Sequence, residues 1–184
     1  LLYDRYGLIR LPENEPEHAL PSEVKSELVA PLNTGEISFL DFYRNDENDR
    51  TYLGILVPVT TVRSNVEVVK GVLALIIDPS NYLYPLLESW PTSRRTAETL
   101  LVRHEGNTAL YLNDLKFDTD AEMRLITPLN EKNVTAVMAV NGREGLVNGI
   151  DYRGASVSAV IRSIPGTSWH LIAQMDTLEI LEPM

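Results

Sequence analysis

The sequence predicts an α+β protein of two successive modules, each a five-stranded antiparallel sheet with flanking helices. Three observations carry this. The order strand, strand, helix, strand, strand, strand occurs twice, over about 80 and then about 95 residues, which suits a helical crossover followed by a three-stranded meander. The longest apolar run, 71–77, is strand-sized and far short of the roughly 18 residues a membrane span needs. Near the end of the chain, apolar residues alternate with polar ones: Val157, Ala159 and Ile161 share one face, and Ser156, Ser158 and Arg162 the other. Trp169, Leu171, Ala173 and Met175 repeat the alternation, leaving an opposite face mixed enough to line a polar pocket.

The elements follow in order. Residues 3–11 read as strand, tight turn at Tyr6–Gly7, strand, and 12–17 as a proline-punctuated loop. Ser22 suits the cap of a short helix over 23–29, with Pro31 just past its end. Strands are expected over 36–44, 51–60 and 68–79, with the acidic, Asn-rich stretch 45–50 as the hairpin loop. The third is almost continuously apolar, as a strand covered on both faces would be. Asp78–Pro79 ends it, and 81–90 reads as a short amphipathic helix.

The second cycle opens with strands at 99–103 and 108–112 around the Glu105–Gly106–Asn107 turn. An irregular polar stretch leads through 123–129 to a helix over 133–140, ended by Asn141–Gly142. Strands at 144–150, 155–164 and 168–176 close the chain, with Arg153–Gly154 and Pro165–Gly166 as turns. The modules expected are therefore 1–79 and 80–184.

Composition narrows the function classes. Apolar residues are 44% and charged residues 23% of the 184, an ordinary globular balance. The net charge is −10; residues 1–80 carry 13 acidic and 7 basic side chains, and 81–184 carry 13 and 9. Neither half has a basic stripe, so the field repels phosphate backbones and no nucleic-acid partner is expected. Zero cysteines excludes disulfides, thiolate metal sites and thiol nucleophiles, without fixing the compartment. There is no signal-peptide pattern at the start.

The doubled topology resembles the tandem PAS-like (double Cache) sensor regions found outside the membrane in histidine kinases, GGDEF proteins and chemoreceptors. Specific strings carry the resemblance. TYLGILVPVT (51–60) with VKGVLALIIDP looks like the paired strands that end the membrane-distal module. SWPTSRRTAETLLVR (89–103) resembles the start of the membrane-proximal module in one subgroup. DYRGASVSAVIRSIPGTSWHLIAQMD (151–176) resembles the closing hairpin. The likeness covers nearly the whole chain.

It implies a periplasmic or extracellular domain of a membrane-anchored receptor, most simply a sensor histidine kinase or diguanylate cyclase, that binds a small solute and passes a conformational change across the membrane. The fragment itself is then no enzyme, and no cofactor is expected. Such regions usually begin with a long helix from the first membrane span that also forms a homodimer contact. Here strand-like sequence begins at Leu1, so that helix is missing from this chain, while 177–184 stops where the family has its exit helix.

The resemblance also implies ligand contacts from the middle strands of the first module: Asp41, Tyr43, Arg44 and Tyr52. An Arg fork would pair a ligand carboxylate, an Asp would accept from an ammonium, and tyrosines would wall the pocket, which points to an amino-acid or carboxylate solute. A solvated hairpin edge is the competing reading. A second pocket would draw on Arg95, Glu98, Tyr152 and Arg162, with Arg94 beside them; interdomain salt bridges and surface charge compete there. Trp90 and Trp169 are expected in packing roles.

His18, His104 and His170 have no metal-ligand spacing, so no metal is expected. No nucleophile elbow or phosphate-cradling glycine loop occurs. Asn133–Val134–Thr135 matches a glycosylation acceptor inside an expected helix. Two other classes stay open: a ligand-free structural or protein-interaction module, and a small enzyme with groups that only a fold would bring together.

Overall fold

The computed structural model describes residues 2–4, 9–11, 21–64, 66–89 and 94–182. The chain divides into two compact units, Leu1–Pro79 and Ser80–Met184. The turn expected at Tyr6–Gly7, the loop 12–17, His18 and the packing role of Trp90 lie outside the described residues.

The first unit is a five-stranded sheet. Its strands are β1 (Leu2–Asp4), β2 (Ile9–Leu11), β3 (Ser38–Asn45), β4 (Arg50–Arg63) and β5 (Val66–Ile77), in the spatial order β2-β1-β5-β4-β3. Every neighbouring pair is antiparallel. The register sorts side chains by face. Leu40 lies opposite Gly54, Tyr43 opposite Tyr52, Leu56 opposite Ala74 and Tyr3 opposite Val72, so these residues share one inner face.

Helical residues cover that face as α1 (Ser22–Lys25), a 3-10 turn (Ser26–Leu28) and α2 (Val29–Thr34). Val24, Leu28 and Leu32 pack with Tyr3, Leu40, Leu56, Val72 and Ala74. Pro31 does not follow the helix but sits buried inside α2. The 3-10 turn restarts the ladder, so Pro31 falls in the first turn of α2, where its missing N–H costs little. Gly35, at φ 69°, ends α2 in the left-handed conformation.

The expectation that β5 is covered on both faces holds for one face only. Leu75 and Ile77 point away from the inner face and are 47% and 41% exposed. Ile55 and Phe39 flank Leu75 in the register, so the outer face is apolar too. That explains why the run 71–77 shows no period-two alternation.

The second unit opens with α3 (Leu83–Glu88) and holds six strands: β6 (Glu98–Glu105), β7 (Thr108–Tyr111), β8 (Ile126–Pro128), β9 (Gly145–Ile150), β10 (Ser156–Ser163) and β11 (Trp169–Asp176). Their order is β8-β7-β6-β11-β10-β9, antiparallel throughout. The sixth strand is the departure from five per sheet. β8 lies in the stretch read as irregular, three residues too short to show alternation, and it exists because Ala109 and Leu110 pair with Thr127 and Ile126.

Helix α4 (Thr135–Val140) packs on the sheet, with Ala136, Val137 and Ala139 buried against Leu100, Ala159, Ile161 and Ile172. The close fit rests on Gly149, whose Cα lies so near the Asn133 carbonyl that a Cβ would meet it at 2.6 Å. That carbonyl accepts the Ile150 N–H at 2.9 Å, tying the lead-in of α4 to β9. In the glycosylation-like triplet, Asn133 precedes α4 rather than lying within it, and Thr135 is buried.

The two alternating sets of the closing hairpin lie on opposite faces. Ala159 pairs with Gln174 and Ile161 with Ile172, so the core face of β11 carries Ile172 and Gln174. Trp169, Leu171, Ala173 and Met175 face the other way, beside Arg162, Val160 and Ser158. Trp169 is nonetheless buried, opposite Arg103.

Candidate functional site

In the first unit the hairpin of β3 and β4 positions the expected residues. Tyr43 and Tyr52 face each other across the strands, with ring centroids 5.9 Å apart and planes tilted by 36°. The Tyr52 hydroxyl accepts from Asn48 Nδ2 at 3.0 Å, so the loop braces the aromatic pair. Burial, then the neighbouring Tyr3 and Tyr52, push the Tyr43 phenol well above its ordinary range. The Tyr43 hydroxyl is therefore a neutral donor and acceptor. Further along the inner face, Ser38 Oγ is buried with no hydrogen-bond partner among the described residues.

Arg44 and Asp41 sit differently. Arg44 follows Tyr43 and pairs with Thr51, so it points to the outer face. Its Nε donates to Asp49 Oδ1 at 2.7 Å. Asp41 lies in a bulge between Leu40 and Tyr43, and its Oδ1 accepts the Phe42 N–H at 2.7 Å. The structure thus brings Tyr43 and Tyr52 together and leaves Arg44 on the opposite side of the sheet.

In the second unit Glu98 and Tyr152 converge. Glu98 Oε2 accepts from the Tyr152 hydroxyl at 3.0 Å and from the Lys116 N–H at 3.2 Å, and Oε1 accepts from Gln174 Nε2 at 3.1 Å. Gln174 Oε1 in turn accepts from the Thr135 hydroxyl at 2.8 Å. Glu98, Gln174 and Thr135 are all buried. Burial raises the Glu98 pKa above the ordinary carboxylate value, opposed by the bonds from Gln174, Lys116 and Tyr152.

A second charged group borders this network. Asp151, fully enclosed, accepts from the N–H groups of Arg153 and Ala155 and from the Arg153 side chain, which also bridges to Asp176. The Arg153 guanidinium stacks 4.1 Å over the Phe117 ring. Glu98, Tyr152, Gln174 and Thr135 are thus joined by side-chain hydrogen bonds, with the Asp151–Arg153–Asp176 ion pairs beside them.

The other two residues expected beside Glu98 lie apart from it. The Arg95 side chain reaches Glu182 at 2.6 Å, and Arg162 is exposed on the far face of β10. Sequence reasoning missed Gln174, Thr135, Asp151 and Arg153. A lone glutamine among apolar residues of β11 was the available signal, obscured because the odd-numbered set looked like the core.

No hydrolytic order emerges from the other cluster of note. Ser163 Oγ lies 3.3 Å from His170 Nδ1, but Glu144 accepts the Ser163 N–H rather than orienting the imidazole. Among the described residues no group of three or more His, Asp or Glu side chains is placed to hold a metal ion.

No protein-family model matches the chain, and no curated protein matches it either. Solved structures do. The ligand-binding domain of the Pseudomonas aeruginosa amino-acid chemoreceptor PctB, in complex with L-Arg, matches with a TM-score of 0.62 at 14% identity, over 100% of this chain and 73% of that one. The periplasmic sensory domain of the Campylobacter jejuni chemoreceptor Tlp1 gives 0.59 at 18%, over 88% and 57%. The extracellular domain of a protein described as a histidine kinase gives 0.55 at 16%, over 84% of this chain and 56% of that domain. This chain thus spans little more than half the length of two of these domains. At such identities the likeness is one of fold: the chain has the fold of the extracytoplasmic sensor domains of histidine kinases and chemoreceptors.

Proposed function

We propose that this chain is the solute-sensing region of a membrane-anchored receptor, exposed to the periplasm or the cell exterior, with any kinase or cyclase activity in another part of the protein. The observation that carries the reading is the shared fold, which runs through nearly the whole chain and which the PctB and Tlp1 sensory domains share. The ligand class proposed is an amino acid or related carboxylate. Neighbours of the same fold are solved with L-Arg, L-serine and GABA.

The proposed seat is the inner face of the first sheet, against Tyr43 and Tyr52, with Ser38 Oγ further along the same face. A buried hydroxyl without a partner is costly, and a ligand polar group would remove that cost. Asp41 belongs to the same hairpin. Arg44 serves this site indirectly, holding through Asp49 the loop that carries Asn48 and hence Tyr52. The second unit, whose polar groups satisfy one another, acts in this reading as the relay and not the receptor. A homodimer through a helix preceding Leu1 belongs to the same proposal.

A thermal-shift screen of the chain against amino acids, carboxylates, polyamines and sugars tests it. A ligand bound only by the folded state at about 100 times its Kd adds about 2.7 kcal/mol, which raises the melting temperature measurably. The expected hit is an amino acid or carboxylate whose shift weakens in Ser38→Ala, Tyr43→Phe and Asp41→Ala. No rise across the panel sinks solute sensing and favours a ligand-free structural or protein-interaction module.

A further inference from the structure

The segment after β11 is docked in an unusual way. It forms a single turn and a half of helix, α5 (Thr177–Leu181). Its apolar side chains face out, with Leu178 79% and Leu181 74% exposed, while the one buried residue is Glu179 at 5%. A five-residue helix has no stability of its own, and no apolar face holds this one. Its one buried anchor is a carboxylate, beside the exposed Arg95–Glu182 pair just past the helix end. Glu179 Oε1 accepts the Arg95 N–H at 2.8 Å; Oε2 accepts the Thr96 N–H at 2.7 Å and the Thr96 hydroxyl. Thr96 Oγ1 in turn accepts the Asp176 N–H at 3.1 Å, so one side chain binds both ends of the junction.

We infer that Glu179 and Thr96 form a latch that ties the segment leaving β11 to the segment leading into β6, and that movement of the buried network reaches α5 through it. The inference rests on the sensor reading and adds the contact through which a change leaves the second unit. The path is short. Two residues after Thr96, Glu98 is bonded to Gln174, and Gln174 to Thr135 at the start of α4. A shift of α4 against the sheet displaces Gln174 and Glu98, and with them the N–H groups that Glu179 grips.

The latch does not open by protonation in any ordinary medium. Three donated bonds, led by the Thr96 hydroxyl, pull the Glu179 carboxyl down to about 2. The charged groups around it agree: Arg95 stands 4.0 Å away and carries Glu182 on its far side, while Asp176 at the start of α5 is held by Arg153. A depressed acid contributes its stabilisation above its ordinary pKa and loses it only as pH falls through the shifted value. What opens the latch is therefore displacement of its donors.

Hydrogen–deuterium exchange on the 184-residue chain is the test, read at the amides of 95–96 and 177–182 and normalised to those of β10 and β11. Glu179→Gln and Thr96→Val are expected to speed exchange there at least tenfold, and Thr96→Ser, which keeps the hydroxyl, to leave it near wild type. Thr135→Val, remote from α5 in sequence, is expected to speed the same amides if the network drives the latch. Unchanged exchange in both Glu179→Gln and Thr96→Val overturns the latch. So does cooperative unfolding of the whole unit in both, which makes Glu179 a core strut. A silent Thr135→Val overturns the coupling. Failure of the solute screen leaves this pattern untouched, so the two readings fail separately.

Discussion

At the scale of single residues, Glu98 shows how a sheet protein keeps an acid in its core. All its partners donate, from Gln174, Lys116 and Tyr152, so the arrangement is built for a carboxylate even though burial favours the acid form. Burial wins in the balance, and the pKa is raised. The sign follows: Glu98 favours the fold at pH below the ordinary carboxylate pKa, and this contribution fades as pH rises through the raised value. Melting curves over pH 4 to 8 should show a slope that disappears in Glu98→Gln; an identical slope in both proteins refutes the assignment. Glu98 and Tyr152 could be paired from the sequence because one stands at the start of a strand and the other at the head of the closing hairpin, which the doubled topology brings side by side. Thr135 and Gln174 were not, since a threonine at a helix start and a glutamine in a strand are ordinary until the register joins them. Arg44 shows the opposite case. Its residue type suited a carboxylate ligand, but a single step along β3 turned it to the other face.

At the scale of elements, alternation and turn residues placed nearly every strand within two or three residues of its position, because each strand is bounded by Gly, Pro or Asn. What the pattern lacked was the identity of the buried face. In β11 both sets are apolar enough to serve, and only pairing with β10 decides that Ile172 and Gln174 face α4. β8 was invisible for a related reason: three residues paired on one side carry no periodicity. Two glycines mark where the elements meet most closely, neither of them at a positive φ. A Cβ on Gly149 would lie 2.6 Å from the Asn133 carbonyl, and one on Gly54 would lie 2.7 Å from the Leu75 carbonyl. Backbone cannot move aside cheaply, so Gly149→Ala and Gly54→Ala should each cost about 1–3 kcal/mol. For units of this size that lowers the melting temperature by roughly 4–8 °C per kcal/mol. A loss under about 2 °C in either variant would mean that the strands slide to accommodate the methyl group.

At the scale of the whole molecule, the two units share no sheet among the described residues. Every ladder of the first closes within residues 2–77 and every ladder of the second within 98–176. Among the described residues, the core cluster of the second unit gathers thirteen buried residues around α4, from Leu100 to Ile172, and its buried carboxylates Glu98 and Asp151 accept hydrogen bonds from within the unit. The outer sheet face of the first unit carries Phe39, Leu75 and Ile77 exposed to 40%, 47% and 41%. Exposed apolar sheet surface costs free energy that burial would recover, so autonomy is expected of the second unit before the first. Residues 80–184 produced alone should therefore melt in one cooperative transition, with dispersed amide resonances and protected β6, β10 and β11 amides. Residues 1–79 alone should be marginal and bind hydrophobic dye through the outer face. If 80–184 is unfolded in isolation, its core depends on the first unit, and the relay role argued for it cannot be separated from the sensing face.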